Sequence, residues 1–88
     1  MANRWTIFWW NISSDNPDRL DFQVERDSDV DATGLFHVTR SGEIVFDYDY
    51  NDNTDRPFPF RDRLPDYIVK HIEREAPKIF AVFDSTHK

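Results

Sequence analysis

Apolar and polar residues alternate along three stretches of the chain, and this two-residue period is typical of β-strands that bury one face. In Leu20–Arg26, the apolar residues Leu20, Phe22 and Val24 would face a core, and the polar residues between them would face water. Two further strands are predicted, over Leu35–Thr39 and Glu43–Tyr50. We expect the three strands to pair as an antiparallel β-meander.

The connection Arg40-Ser41-Gly42 fits a three-residue hairpin loop whose glycine takes the left-handed bulge position. The loop length also predicts the register, because it brings one set of apolar residues onto a single face. These residues are Phe36, Val38, Ile44, Phe46 and Tyr48.

An earlier strand, Arg4–Ile12, is apolar on both faces. One side would carry Trp5, Ile7 and Trp9, and the other Phe8, Trp10 and Ile12. A helix covers only one face of a sheet, so rings on the other face indicate a surface for a partner or for self-association. The alternative is that the Phe58–Phe60 loop or the C-terminal segment covers that side.

A helix is predicted from Asp62, as its cap, to Ala76, with Pro65 tolerated in the first turn. Its buried face would hold residues spaced by three and four positions, namely Leu64, Tyr67, Ile68, Ile72 and Ala76. Pro77 would end it. The run Ile79–Phe83 is too short to assign by period, and we favour a final strand over a second helix.

These elements predict an α+β fold with two layers, in which one helix packs on one face of an antiparallel sheet of three to five strands. Residues 1–88 would form a single domain. The aromatic content of 16% supplies large side chains for a small core. The chain has no cysteine and only two glycines, which excludes disulfides, thiolate chemistry and glycine-rich phosphate loops. No apolar stretch reaches the roughly 18 residues of a membrane span, so we expect a cytoplasmic protein without membrane contact.

Acidic charge is concentrated in one part of the sequence. Residues 1–56 hold twelve acidic and five basic residues, whereas residues 57–88 hold five acidic and six basic ones. The strand alternation would place several of the acids on one face, namely Asp21, Glu25, Glu43, Asp47 and Asp49. Together with Trp9 or Trp10 as an apolar anchor, this face predicts binding of a basic protein. Direct nucleic-acid binding is disfavoured by a pI of about 4.8.

A calcium site is the alternative. Asp27, Asp29 and Asp31 alternate in a predicted loop, as in the first half of a calcium-binding loop. The second half does not follow, because Ala32 stands where glycine is needed and Val38 where a bidentate glutamate is needed. A second oxygen-rich stretch, residues 49–55, could supply further ligands if the two loops converge. Two solvated loops are the simpler interpretation.

Catalytic patterns are weak. His71 and Glu75 lie one helical turn apart, a spacing that usually gives a surface hydrogen bond. The serines lie in predicted loops and lack the context of a nucleophile. We therefore expect a non-enzymatic protein without a cofactor.

The stretch from Gly42 to Tyr50, followed by an Asn- and Asp-rich turn and Pro57-Phe58, resembles the late hairpin of small acidic bacterial toxin-immunity proteins. The resemblance covers residues 42–58. It departs in the following helix, which lacks the tryptophan-containing end of that group. The resemblance implies a protein that neutralises a basic partner by covering it, with Asp47 and Asp49 as the matching positions.

Overall fold

The computed structural model describes residues 5–26, 29–49, 58–60 and 62–86, with the side chains of residues 29–32 left aside. The elements are β1 (Trp5–Trp9), β2 (Arg19–Arg26), β3 (Asp29–Thr39), β4 (Ile44–Asp49) and α1 (Asp66–Thr86). The strands form one antiparallel sheet in the order β1-β2-β3-β4. Helix α1 packs on one face, which we call the inner face. The predicted two-layer α+β meander is confirmed.

The core lies between the inner face and α1. Leu20, Phe22 and Val24 on β2 are fully buried, as their alternation predicts. They pack with the apolar stripe of the helix, which consists of Ile68, Ile72, Ala76 and Phe80. Each large apolar side chain that leaves water here contributes about 1.5–3 kcal/mol to folding.

The β3–β4 hairpin has the predicted turn. The Gly42 N–H donates to the Thr39 carbonyl at 2.9 Å, and Gly42 has a φ of 95°. This left-handed angle carries little steric cost for glycine. Val38 pairs with Ile44 and Phe36 with Phe46, so the predicted register is confirmed up to Phe46.

A β-bulge in β4 then changes the pattern. Phe36 pairs with Phe46 and Leu35 pairs with Tyr48, which leaves Asp47 as an extra residue without an opposite partner. The prediction that Tyr48 shares the inner face with Phe46 is wrong, because the bulge reverses the alternation beyond Asp47. Tyr48 pairs with Leu35, which belongs to the opposite, outer face, and is exposed.

The region between β2 and β3 also differs from the prediction. The third strand begins at Asp29, six residues before the predicted Leu35, and Asp29 pairs with Arg26. The register shifts between Glu25 and Arg26, so this end of the ladder is irregular. Asp29 and Asp31 therefore belong to a strand and not to the predicted loop, while Asp27 lies outside the described residues.

Phe58 fills the core beneath β3. It is only 2% exposed, and a Cβ added to Gly34 would lie 2.8–3.0 Å from three carbons of the Phe58 ring. The ring also makes edge or stacked contacts with four other aromatic residues, namely Trp5, Phe36, Phe46 and Phe60. The absence of a side chain at Gly34 is what lets Phe58 approach the sheet so closely.

Helix α1 runs through Pro77 to Thr86, so the predicted helix end at Ala76 is wrong and Ile79–Phe83 is helical. Phe80 continues the spacing of Ile72 and Ala76 and is buried, and this packing outweighs the main-chain hydrogen bond that a proline cannot donate. Since Pro77 is exposed, its ring causes no crowding in the core.

The helix also begins later than predicted. Its first residue is Asp66, and the Pro65 carbonyl accepts hydrogen bonds from the Ile68 and Val69 N–H groups, both at 3.0 Å. Asp62 therefore lies too far away to be the cap. Tyr67, predicted on the buried face, is exposed.

Arg40 in the hairpin turn holds the last part of α1 in place. Its guanidinium donates to both carboxylate oxygens of Asp84, at 2.9 and 2.7 Å, and to Asp18 at 3.0 Å. It also lies 4.7 Å from the centre of the Phe80 ring. One side chain thus joins the helix end, the β3–β4 turn and the loop before β2.

We expect Gly34→Ala to lower the free energy of unfolding by about 1–3 kcal/mol, because the new methyl group would overlap the Phe58 ring. Urea denaturation would measure the loss. The same substitution in a Phe58→Leu background should cost less, since the ring that it overlaps is then absent. An equal cost in both backgrounds would contradict this account of the contact.

Because of the Arg40–Asp84 pair, the stability of the folded protein should depend on pH under acidic conditions. The hydrogen bond from Arg40 lowers the pKa of Asp84 below its ordinary value of 3.8. The contribution of Asp84 is thus complete above that ordinary value and is lost as the pH falls through the lowered pKa. We expect Asp84→Asn to reduce the melting temperature slightly at pH 7, with a difference from the native protein that shrinks in acid. A difference that grows on acidification would contradict this assignment.

Candidate functional site

The outer face of the sheet, opposite α1, is left uncovered by the described elements. The alternation of β1 places Trp5, Ile7 and Trp9 towards the helix and Phe8 and Trp10 on the outer face. Trp10 is 50% exposed, Phe8 46% and Tyr48 59%. We call these three residues the aromatic rim. Ile12, predicted on their side, packs against the core instead, because β1 ends at Trp9.

The strand register arranges the outer face in rows that run across the sheet. One row joins Phe8, Gln23, Leu35 and Tyr48. The next row joins Trp10, Asp21 and His37, because the Trp10 N–H donates to the Asp21 carbonyl at 2.9 Å. Between the rows is a shallow groove of about 120 Å³ that Trp10, Leu35 and Tyr48 help to line. Aromatic and charged groups therefore lie side by side on this face.

Four polar side chains form a connected group in the middle of the outer face, which we call the charge cluster: Arg19, Asp21, His37 and Asp47. Arg19 donates from Nε to Asp21 at 2.7 Å and from Nη2 to Asp47 at 3.0 Å. Nδ1 of His37 lies 3.0 Å from both carboxylate oxygens of Asp47. Asp47 and His37 are largely shielded, with side chains 20% and 15% exposed.

The electrostatics of the charge cluster favour the protonated form of Arg19. The hydrogen bond from Arg19 to Asp21 raises the pKa of Arg19 above its ordinary value, and Asp47 adds to this effect. Two carboxylates share one guanidinium, so the cluster keeps acidic character while its central groups are hydrogen-bonded.

The bulge in β4 decides which acids share this face. Asp47 contacts His37 and Arg19 on the outer face, whereas Asp49 accepts a hydrogen bond from the Phe58 N–H at 3.1 Å and therefore lies towards the core side. Glu25 lies further along β2, 3.5 Å from the Thr33 hydroxyl, and Glu43 is exposed in the turn before β4. The structure thus brings Asp21 and Asp47 together and separates Asp49 from them.

The two tryptophans predicted as anchors occupy different layers. Trp9 lies under α1, with its ring centre 5.3 Å from that of Phe22 and 6.5 Å from that of His71. Trp10 lies on the outer face beside Asp21. Of the two, Trp10 is therefore placed to contact a partner on the outer face.

Arg19, Leu35 and Tyr48 were not predicted on this face. Arg19 lies two positions before Asp21, and that spacing signals a shared face. The position of Tyr48 had no such signal, because it depends on the bulge.

Asp21, His37 and Asp47 could also offer metal ligands, since one ligand atom from each lies within 4.8 Å of the others. The Arg19 guanidinium, however, already supplies the positive charge between the two carboxylates. A metal ion would have to displace it. For the predicted calcium ligands, Asp27 is outside the described residues and the side chains of Asp29 and Asp31 are not described.

His71 and Glu75 do not form the pair that their spacing suggests. Oε2 of Glu75 accepts from Arg74 and Lys78, at 3.1 and 3.4 Å, while Nδ1 of His71 accepts from Arg74 at 3.1 Å. The arrangement is a surface network in which Arg74 takes the position of the expected histidine.

No protein-family model, curated protein or solved structure matches this chain. The resemblance of residues 42–58 to immunity proteins therefore stays a prediction. Among the described residues, no helix is long and apolar enough to cross a membrane.

We expect Zn²⁺ to leave the melting temperature of the native protein unchanged and to raise that of Arg19→Met. The methionine keeps much of the apolar stem but frees the carboxylates of Asp21 and Asp47, and histidine with carboxylates suits zinc. Scanning calorimetry with and without the ion would measure both shifts, and Arg19→Met with His37→Gln is the control. A shift in the native protein would mean that Arg19 does not block the site.

Proposed function

We propose that this chain is a non-enzymatic protein-binding module that uses its outer face to bind a basic protein. The observation that carries the proposal is the aromatic rim: Phe8, Trp10 and Tyr48 are each about half exposed around a cluster of hydrogen-bonded charges. Large aromatic residues next to fixed polar groups are typical of binding hot spots.

The energetic roles would be divided between the two kinds of residue. Burying Trp10 and Tyr48 against a partner would supply most of the affinity, because each removes a large ring from water. Asp21 and Asp47 are already held in place by Arg19 and His37, so a basic side chain could bind them with little loss of side-chain entropy.

Long-range charge would mainly speed association. The net charge of −6 comes from the part of the chain that forms the sheet, since residues 57–88 are slightly basic. An acidic field of this kind attracts a basic protein over distances of about 10 Å at 0.1 M salt and fades as salt is added. Glu25 and Glu43 would act in this way, as they lie outside the charge cluster.

The particular form that we propose is an inhibitor of the immunity type, which neutralises a basic toxin by covering it. Its support is the resemblance in residues 42–58, of which Asp47 belongs to the outer face and Asp49 does not. The proposal therefore places Asp47 at the interface and gives Asp49 a role in the fold.

The test is an affinity pull-down from lysate of the source organism, with native and variant proteins as bait and identification by mass spectrometry. A basic protein retained at low salt and released at high salt is expected. Tyr48→Ser with Trp10→Ser should weaken binding of the purified partner by about 2 kcal/mol or more, roughly 30-fold. Val82→Ser is the control, because Val82 is an apolar residue at least as exposed as Trp10 and Tyr48 but lies on α1.

Two outcomes would count against the proposal. If Tyr48→Ser with Trp10→Ser leaves the affinity for the partner unchanged, the interface lies elsewhere. The bait protein could also retain no partner while its mass in solution rises with concentration. If Tyr48→Ser with Trp10→Ser then makes the protein monomeric, the outer face would be assigned to self-association.

A further inference from the structure

The first strand has one edge that no described strand covers. Among the described strands, β1 pairs with β2 alone, and the donation from the Trp10 N–H to the Asp21 carbonyl fixes which main-chain groups of β1 point away from β2. Main-chain direction alternates along an antiparallel strand, so Trp5, Ile7 and Trp9 direct their N–H and C=O groups away from β2. A row of this kind can accept one more strand.

A groove of about 670 Å³ runs between this edge and the first half of α1. On the strand side it is lined by Trp5, Thr6 and Ile7, and on the helix side by Tyr67, Lys70, His71 and Arg74. The groove does not involve the aromatic rim or the charge cluster, so it is a second surface, independent of the proposed function.

The charge of this groove is opposite to that of the whole chain. No carboxylate lines it within the described ranges, although the net charge of the protein is −6. Lys70 has no ion pair with any described residue, whereas Arg74 shares its charge with Glu75. The groove therefore presents two cations, and Lys70 has no ion-pair partner in the described part of the chain.

We propose that the β1 edge and this groove bind an extended acidic segment of a partner protein as an added antiparallel strand. Inward-facing residues of such a strand recur about every 6.8 Å. Lys70 and Arg74 are one helical turn apart, a rise of about 6 Å. Successive inward carboxylates of the segment can thus meet Lys70 and then Arg74.

The same charges argue against a second copy as the occupant. Two-fold pairing of β1 with its own counterpart would bring Lys70 and Arg74 of one protomer close to the same residues of the other. Like charges placed together at an interface oppose association. An acidic strand instead meets complementary charge.

The experiment uses a ten-residue fluorescein-labelled peptide that alternates valine and glutamate, with fluorescence anisotropy as the readout. In the proposed arrangement, the glutamates that face α1 are also the residues whose main-chain N–H groups donate hydrogen bonds to β1. N-methylation of the glutamates should therefore weaken binding by about tenfold or more, while N-methylation of the valines should leave it unchanged. A peptide alternating valine and lysine should not bind.

Protein variants test the groove directly. Lys70→Glu should weaken binding of the acidic peptide about tenfold, and Lys78→Glu, the same charge change outside the groove, should alter it by less than about twofold. Trp10→Ser with Tyr48→Ser should leave it unchanged, which separates this site from the outer face.

Three results would overturn the proposal. The first is no binding of the acidic peptide, and the second is equal binding of the two N-methylated peptides. The third is a dimer in light scattering that Lys70→Glu strengthens, since the edge would then be covered by a second copy.

Discussion

The contact between Phe58 and Gly34 is the constraint on which the rest of the arrangement depends. Strand β4 is one edge of the sheet, and α1 packs on the inner face. Phe58, which lies between β4 and α1 in the sequence, packs directly on the β3 backbone, where only glycine leaves room. Asp49 fixes the same segment through the Phe58 N–H. The bulge in β4 that turns Asp49 inwards also brings Tyr48 to the outer face, so one irregularity shapes both the core and the candidate site.

Patterns that depend on local chemistry could be predicted from the sequence. The alternation in β2 and the turn at Gly42 are examples, because each follows from the residues of a short segment. Features that depend on distant contacts could not. Alternation along a strand predicts the face of each residue only where the strand has no bulge. The position of Tyr48 therefore could not be deduced before the bulge was known. The helix beyond Pro77 is a similar case, since it is stabilised by Phe80 in the core and by Arg40 from the hairpin turn.

The sequence predicted part of the candidate site, namely its two aspartates, but not the residues that bind them. Asp21 and Asp47 were expected on one face and lie together there, but their partners are what give that face its character. Arg19 converts two repelling carboxylates into a bonded group, and His37 shields Asp47 further. A list of acidic residues therefore overstates the free charge of this surface. The groove between β1 and α1 has the opposite balance, because it is lined by Lys70 and Arg74. The net charge of the chain conceals two surfaces of opposite sign.

The two edges of the sheet are unequal, and this has a consequence for assembly. Strand β4 carries a bulge and two aspartates, features that hinder pairing with another chain, whereas β1 is short and contains no charged residue, proline or bulge. If both edges were open, one molecule could add to the next without limit and form a fibre. With the β4 edge blocked, the β1 edge of one molecule cannot pair with the β4 edge of the next, so head-to-tail addition does not occur. The bulge that arranges the outer face thus also acts as a stop against polymerisation.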